Sequence, residues 1–137
     1  EFARTYHGPD GAELINDVLV RERLARMAME AEVADLLDMR VAFLDADADA
    51  DAEGDKPGPV SALFGPESYV RASAAAIDIA GAAGMIDWTD PQCAVDGALD
   101  AHYRSAVAST IYGGSSEVLR SLIVENRLGF PRSRPRR

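Results

Sequence analysis

The residues best suited to chemistry form a Gly-Gly-Ser-Ser run at 113–116, directly ahead of an apolar segment. A helix that begins here presents unpaired backbone N–H groups and the positive end of its dipole, which suits an anionic or carbonyl-bearing ligand. Glu117 falls in the first helical turn, where an acid is favourable. The same pattern is also typical of a capped turn with no ligand, and the spacing alone favours that second interpretation.

The remaining polar residues form no recognisable catalytic or metal-binding pattern. His7 and His102 lack a glutamate three positions earlier, so the Glu-x-x-His pair of di-metal helical bundles is missing. A single cysteine, Cys93, cannot supply the paired thiolates of a zinc site. A calcium loop starting at Asp49 would need a carboxylate at its twelfth position, which is Val60. We therefore predict no metal site.

The acidic composition excludes further classes of function. The chain has 137 residues, and its 14 Lys and Arg against 23 Asp and Glu give a formal net charge of -9. Phosphates would be repelled, so we expect no nucleic-acid partner. A membrane span needs roughly 20 apolar residues, which no segment offers, and charges at Glu1, Arg4 and Asp10 interrupt any leader peptide. We expect a cytoplasmic protein, since one cysteine fits a reducing compartment.

Helical periodicity describes the elements that must position the Gly-Gly-Ser-Ser run. Apolar residues recur every three to four positions, and no segment sustains a period of two. The predicted helices are 12–44, 61–82, 95–109 and a last one that begins after Gly113-Gly114 and stops at Gly129 and Pro131. Glycine accepts the left-handed conformation at a helix end, so the Gly81–Gly84 segment should terminate the second helix. The sequence thus predicts an all-α four-helix bundle.

This bundle is expected to span 1–131, with a solvated acidic loop at 45–59 and a basic, disordered tail at 132–137. The first helix is apolar on more than one side, so we expect another subunit to cover part of it. The residues predicted to be buried are Val20, Leu24, Met27, Ala31, Ala34 and Val41 in the first helix, and Val118, Leu119, Leu122, Ile123 and Val124 in the last.

The C-terminal motif resembles a known family. Residues 110–132 read TIYGGSSEVLRSLIVENRLGFPR, which is similar to the C-terminal signature of flavin-dependent acyl-CoA dehydrogenases: Ile-Tyr-(Glu or Gly)-Gly-(Thr or Ser)-Ser-Glu-Ile-x-Arg, then an apolar helix and Leu-Gly-Leu-Pro-Arg. Weaker matches follow the family's order upstream, at 24–40, 61–67, 76–84 and Tyr103-Arg104. The resemblance covers nearly the whole chain apart from the acidic loop and the tail.

The resemblance implies the C-terminal helical bundle of an enzyme that removes two hydrogens from an acyl-CoA and passes a hydride to FAD. It also implies that no catalytic residue is present. Gly113 occupies the position of the glutamate base of many members, and other members carry the base on the helix that precedes this stretch, which is mostly absent here. Asp78 stands where the family has glutamine, in a segment that reaches the FAD of a neighbouring subunit. The residues implied to bind FAD are Gly113, Gly114, Ser115, Glu117, Asp78, Gly81 and Gly84.

Three expectations follow about the protein as a whole. The family's preceding domains are missing, so the chain is expected to be a fragment that is inactive alone. The loss of the base resembles the actinobacterial dehydrogenases of steroid side chains, in which two different subunits pair. We expect a homo- or hetero-oligomer acting on an acyl-CoA, and the alternatives are a non-catalytic partner subunit that completes another subunit's FAD pocket, or a helical interaction domain.

Overall fold

The computed structural model describes residues 1–8, 11–46 and 58–132, so most of the predicted acidic loop and nearly all of the tail lie outside the described residues. Within these ranges the chain is all-α and contains no strand, which confirms the predicted fold class. The helices are α1 (Phe2–Thr5), α2 (Val18–Ala46), α3 (Gly58–Ala80), α4 (Ala98–Tyr112) and α5 (Ser116–Arg127), with 3₁₀ helices at Leu14–Asn16, Gly81–Met85 and Ala94–Gly97. None of these helices is long and apolar enough to cross a membrane.

Three helix starts differ from the prediction. Helix α3 begins at Gly58 rather than at Ser61, and the other two differ for local reasons. The long helix α2 begins at Val18 rather than near Ala12, because the Asp17 carboxylate accepts a hydrogen bond from the backbone N–H of Leu19 at 2.7 Å and ends the preceding 3₁₀ turn. Helix α4 begins at Ala98 because the three residues before it have positive φ angles. The end of α3 is as predicted, since Gly81 has a φ of +62°.

Helix α3 is the centre of the fold, because α2, α4 and α5 all pack on it. The core around it is thin. Its buried apolar residues are Ala3, Val20, Ile79, Ala80, Ala94, Ala106 and Leu119, and no large side chain in the described residues is fully buried. Four of these seven residues are alanine, so the helices approach closely but remove little apolar surface from water.

The faces of α2 and α5 correct part of the predicted burial. In α5 only Leu119 is buried, whereas Val118 is 54% exposed, because among the described residues α5 packs extensively on α3 alone. In α2 the predicted stripe holds at Val20 but not at Ala31, which is exposed. The opposite side of α2 carries large exposed apolar residues, as predicted for a helix with two apolar faces: Met29, Val33, Leu36, Met39 and Phe43.

Candidate functional site

The turn between α4 and α5, which we call the signature loop (residues 112–117), is built by one glycine and one cap. Gly114 has a φ of +111°, a conformation that favours glycine, and its N–H donates to the Ile111 carbonyl at 3.2 Å. Ser115 is extended, and its hydroxyl accepts from the Val118 N–H at 3.4 Å. The predicted N-cap is therefore present at Ser115.

The acid of the signature loop lies against the start of α5. Glu117 accepts hydrogen bonds from its own backbone N–H and from the Ser115 hydroxyl, and these bonds hold the pKa of Glu117 below its usual value. Arg120, one turn further on, contributes in the same direction. The positive end of the α5 dipole thus stabilises the Glu117 carboxylate, at the position where the sequence predicted an acid.

Replacing Glu117 by glutamine tests this arrangement through its pH dependence. A carboxylate whose folded-state pKa is depressed contributes stability above its unfolded value, here 4.5, and the contribution disappears as the pH falls through the lower folded value. We expect Glu117→Gln to lower the unfolding temperature at neutral pH and to have little effect well below pH 4.5. Thermal unfolding at both pH values is the measurement.

A matched control for that experiment is Glu32→Gln, since Glu32 is an exposed acid in the middle of α2. It should leave the unfolding temperature nearly unchanged at either pH. An equal loss of stability in Glu117→Gln at neutral and acid pH would contradict the assigned role of the carboxylate.

The outer side of the signature loop is open. A Cβ added at Gly113 would meet no atom within 4 Å, and the backbone there has a φ of -93°, which any residue can adopt. The neighbouring Tyr112 and Ile111 side chains are 84% and 67% exposed. A longer side chain at position 113 would therefore extend into free space rather than into the core.

The second group of predicted residues lies at the end of α3. The exposed Asp78 carboxylate is 3.8 Å from Nη2 of Arg23, a distance at which the attraction is weak. Gly81 supplies the left-handed residue that ends the helix. Gly84 is buried, and a Cβ there would lie 2.9 Å from the Cβ of Ala80 and 3.3 Å from the Cα of Ile77. The backbone conformation explains glycine at position 81 and close packing explains it at position 84, so neither requires a ligand.

The structure does not bring the two groups together. Arg120 in α5 pairs with Glu67, which lies in the first half of α3. Asp78 is eleven residues further along the same helix, about 16 Å at the rise of an α-helix. The start of α5 and the Asp78–Gly84 group thus lie at different levels of α3, so the described residues do not bring the signature loop and this group into one pocket.

The sequence did not predict a cleft of about 390 Å³ that lies beside Asp78. It places the Tyr103-Arg104 motif beside the end of α3. The Nε of Arg104 donates to both carboxylate oxygens of Asp100, at 3.0 and 2.8 Å, and this hydrogen bond raises the pKa of Arg104. The lining residues are Ala74, Ile77, Asp78, Met85, Asp100, Tyr103 and Arg104. Two weak sequence motifs, 76–84 and Tyr103-Arg104, thus meet in this cleft.

Comparison with known proteins identifies the class of the chain. Residues 3–128 match the family described as acyl-CoA dehydrogenase, C-terminal domain. The chain therefore belongs to the acyl-CoA dehydrogenase C-terminal domain family, and the resemblance drawn from the signature motif is confirmed.

Individual relatives point to one branch of this family. The chain is similar to acyl-CoA dehydrogenase FadE26 of Mycobacterium tuberculosis (strain ATCC 25618 / H37Rv), with 28% identity over 135 residues that cover 97% of the chain and 33% of that protein. The ChsE4-ChsE5 complex from Mycobacterium tuberculosis superposes with a TM-score of 0.82 and 25% identity, over 96% of this chain and 33% of the other. The Tcur3481-Tcur3483 steroid ACAD gives a TM-score of 0.76 and 27% identity, over 87% and 30%.

These relatives confirm the predicted likeness to the actinobacterial steroid branch. The chain spans about a third of the length of each of them.

Proposed function

We propose that the chain is the C-terminal helical domain of a FAD-dependent acyl-CoA dehydrogenase subunit that acts in α,β-dehydrogenation of an acyl-CoA thioester. The signature loop is the observation that carries this proposal. It combines an open glycine turn with a helix start capped by a hydroxyl, in a chain that belongs to the family. The similarity to a steroid ACAD favours an acyl group of the steroid side-chain kind.

The signature loop fits FAD better than the second group does. In the loop, the backbone at Gly113 is open, since an added Cβ would meet nothing within 4 Å, and the Ser115 hydroxyl lies at the helix start that follows. FAD, when bound, would supply the acceptor for the hydride lost from the β carbon of the acyl group. In this arrangement Gly113 and Gly114 admit the cofactor, and Ser115 binds and orients it.

We assign Asp78, Gly81 and Gly84 to the FAD of a neighbouring subunit. Their separation from the signature loop along α3 supports a second cofactor rather than the same one. An acid near a pyrophosphate is unfavourable, but Arg23 at 3.8 Å offsets part of the negative charge of Asp78. Such sharing requires at least two subunits, and the exposed apolar side of α2 offers surface for one.

The alternative function is a non-catalytic, dehydrogenase-like subunit that completes the pocket of another chain. Gly113 favours it, because glycine cannot take the α proton at the family's base position. Both functions make the chain inactive alone, since the base and the remaining FAD contacts come from elsewhere. The relatives include complexes of two named chains, ChsE4-ChsE5 and Tcur3481-Tcur3483, which supports a hetero-oligomer for this chain as well.

Substitution of Ser115 by aspartate in the full-length protein tests the proposed FAD contact. Aspartate is an N-cap residue as good as serine, so the helix start should remain stable. The added negative charge beside the dinucleotide should weaken FAD binding by about tenfold or more. The measurement is the FAD dissociation constant from flavin fluorescence, with the unfolding temperature measured in parallel.

Ser121→Asp is the matched control, because Ser121 lies on the same helix and its hydroxyl bonds only to the Glu117 carbonyl, at 3.0 Å. The control should bind FAD like the unmodified protein. Unchanged FAD affinity in Ser115→Asp, or equal losses in both variants, would overturn the assignment of the signature loop to FAD.

A further inference from the structure

Few contacts hold α5, the helix that begins at the signature loop. Within the described residues it packs appreciably on α3 alone. Leu119 is its one buried residue, at 8% exposure, and the apolar side chains of Val118, Leu122 and Val124 remain 54%, 37% and 38% exposed. The position of α5 therefore depends mainly on its contact with α3.

Two consecutive residues, Leu119 and Arg120, supply two of these contacts. Leu119 packs against the signature loop: a Cβ added at Gly114 would lie 3.8 Å from the Cδ2 atom of Leu119. Arg120 donates from Nη2 to Oε1 of Glu67 in α3. The Glu67 side chain is 28% exposed and that of Arg120 54%, so solvent screens the pair only in part.

The pair connects two motifs that are far apart in the sequence. Arg120 is the arginine of the signature motif, and Glu67 is the acid that closes the 61–67 motif, 53 residues earlier. Ser115 is five residues before Arg120 on the same helix, about 7.5 Å along its axis. A helix held at this point by a charged pair cannot slide or rotate on α3 without moving the signature loop.

We propose that Glu67 and Arg120 are positioning residues: their ion pair sets the register of α5 on α3 and so places the signature loop against FAD. This inference rests on the proposed function for the identity of the cofactor. The mechanical part, that the pair determines the conformation of residues 112–117, holds for any ligand of the loop.

The test uses the full-length protein with Glu67→Gln, Arg120→Gln and the reversed pair Glu67→Arg with Arg120→Glu. Each single variant should weaken FAD binding by about fivefold, the size expected for one partly exposed ion pair. Amide hydrogen exchange in 112–117 should become several-fold faster. The reversed pair should recover most of both losses, because the charges are again complementary.

The matched control is Arg71→Gln. Arg71 makes a comparable ion pair between helices, to Glu30 at 3.1 Å, but it connects α2 to α3 and does not involve α5. It should lower the unfolding temperature like Arg120→Gln and leave both FAD affinity and exchange in 112–117 unchanged. If the Glu67–Arg120 pair only stabilised the fold, Arg120→Gln and Arg71→Gln would have the same effects on FAD affinity and on hydrogen exchange.

The outcomes separate this inference from the proposed function. If the unmodified protein binds no FAD, the proposed function fails, and hydrogen exchange in 112–117 still decides whether the pair positions the loop. If FAD binds but neither affinity nor exchange changes in Glu67→Gln and Arg120→Gln, the positioning role is overturned. Equal effects in Arg71→Gln would overturn it too.

Discussion

Replacement of Gly97 by alanine is expected to destabilise the chain by about 3 kcal/mol or more. Gly97 has a φ of +74°, and a Cβ there would lie 2.4 Å from the backbone nitrogen of Trp88 and 2.6 Å from its Cα. These are backbone atoms, which cannot rotate away as a flexible side chain would. The substitution would push the 88–90 turn from the start of α4. Denaturant unfolding of the purified chain, at one protein concentration, gives the free energy of unfolding.

Gly113→Ala is the matched control for that prediction, since Gly113 has a negative φ and an added Cβ meets nothing within 4 Å. Its free energy of unfolding should stay within about 0.5 kcal/mol of the unmodified chain. A Gly97→Ala variant as stable as this control would show that Trp88 and Gly97 do not approach as closely as described.

The sequence predicts the long helices because their signal is local. A long run of helix-forming residues without Pro or Gly identifies α2, and glycine after Ala80 identifies the end of α3. The start of α2 was missed because a single carboxylate, that of Asp17, decides it. The turn before α4 gives no signal either, since Val95 adopts a positive φ angle that a β-branched residue rarely takes.

Burial was harder to predict than helix position. The pattern of α5 indicates a buried face, yet only Leu119 is buried, because α3 is the one helix of the described residues that α5 contacts extensively. The same holds for α2, where Met29 and Phe43 are 66% and 71% exposed. An apolar pattern shows that a face avoids water, but it does not show which chain covers it.

In the candidate site, too, the features that depend on adjacent residues were predictable, and those that depend on contacts between distant segments were not. The N-cap at Ser115 and the acid at Glu117 were predicted, because capping is a property of a few adjacent residues. The Glu67–Arg120 pair and the cleft beside Asp78 were not predicted, because they join segments far apart in the chain. The packing role of Gly84 likewise depends on its distance from Ile77 in the folded helix.

The second large effect concerns the position of the family's base. A general base contributes a factor of about 10² to 10⁴ in rate when it is correctly placed. Gly113 has room for a longer side chain and a φ that accepts one, so glutamate at this position should not disturb the fold. We expect Gly113→Glu in the full-length protein, together with its partner subunit if it has one, to oxidise an acyl-CoA at least about 10² times faster than Gly113→Gln. The two variants are nearly isosteric, so the difference isolates the carboxylate.

The steady-state oxidation of an acyl-CoA by Gly113→Glu and Gly113→Gln, measured against pH with an external electron acceptor, is the most direct test that the signature loop faces the reacting acyl group. The predicted result is a large rate advantage for the glutamate variant that disappears as the pH falls and the carboxylate is protonated. Equal rates and identical pH profiles for the two properly folded, FAD-loaded variants would contradict the assignment of Gly113 to the substrate side of an acyl-CoA dehydrogenase site.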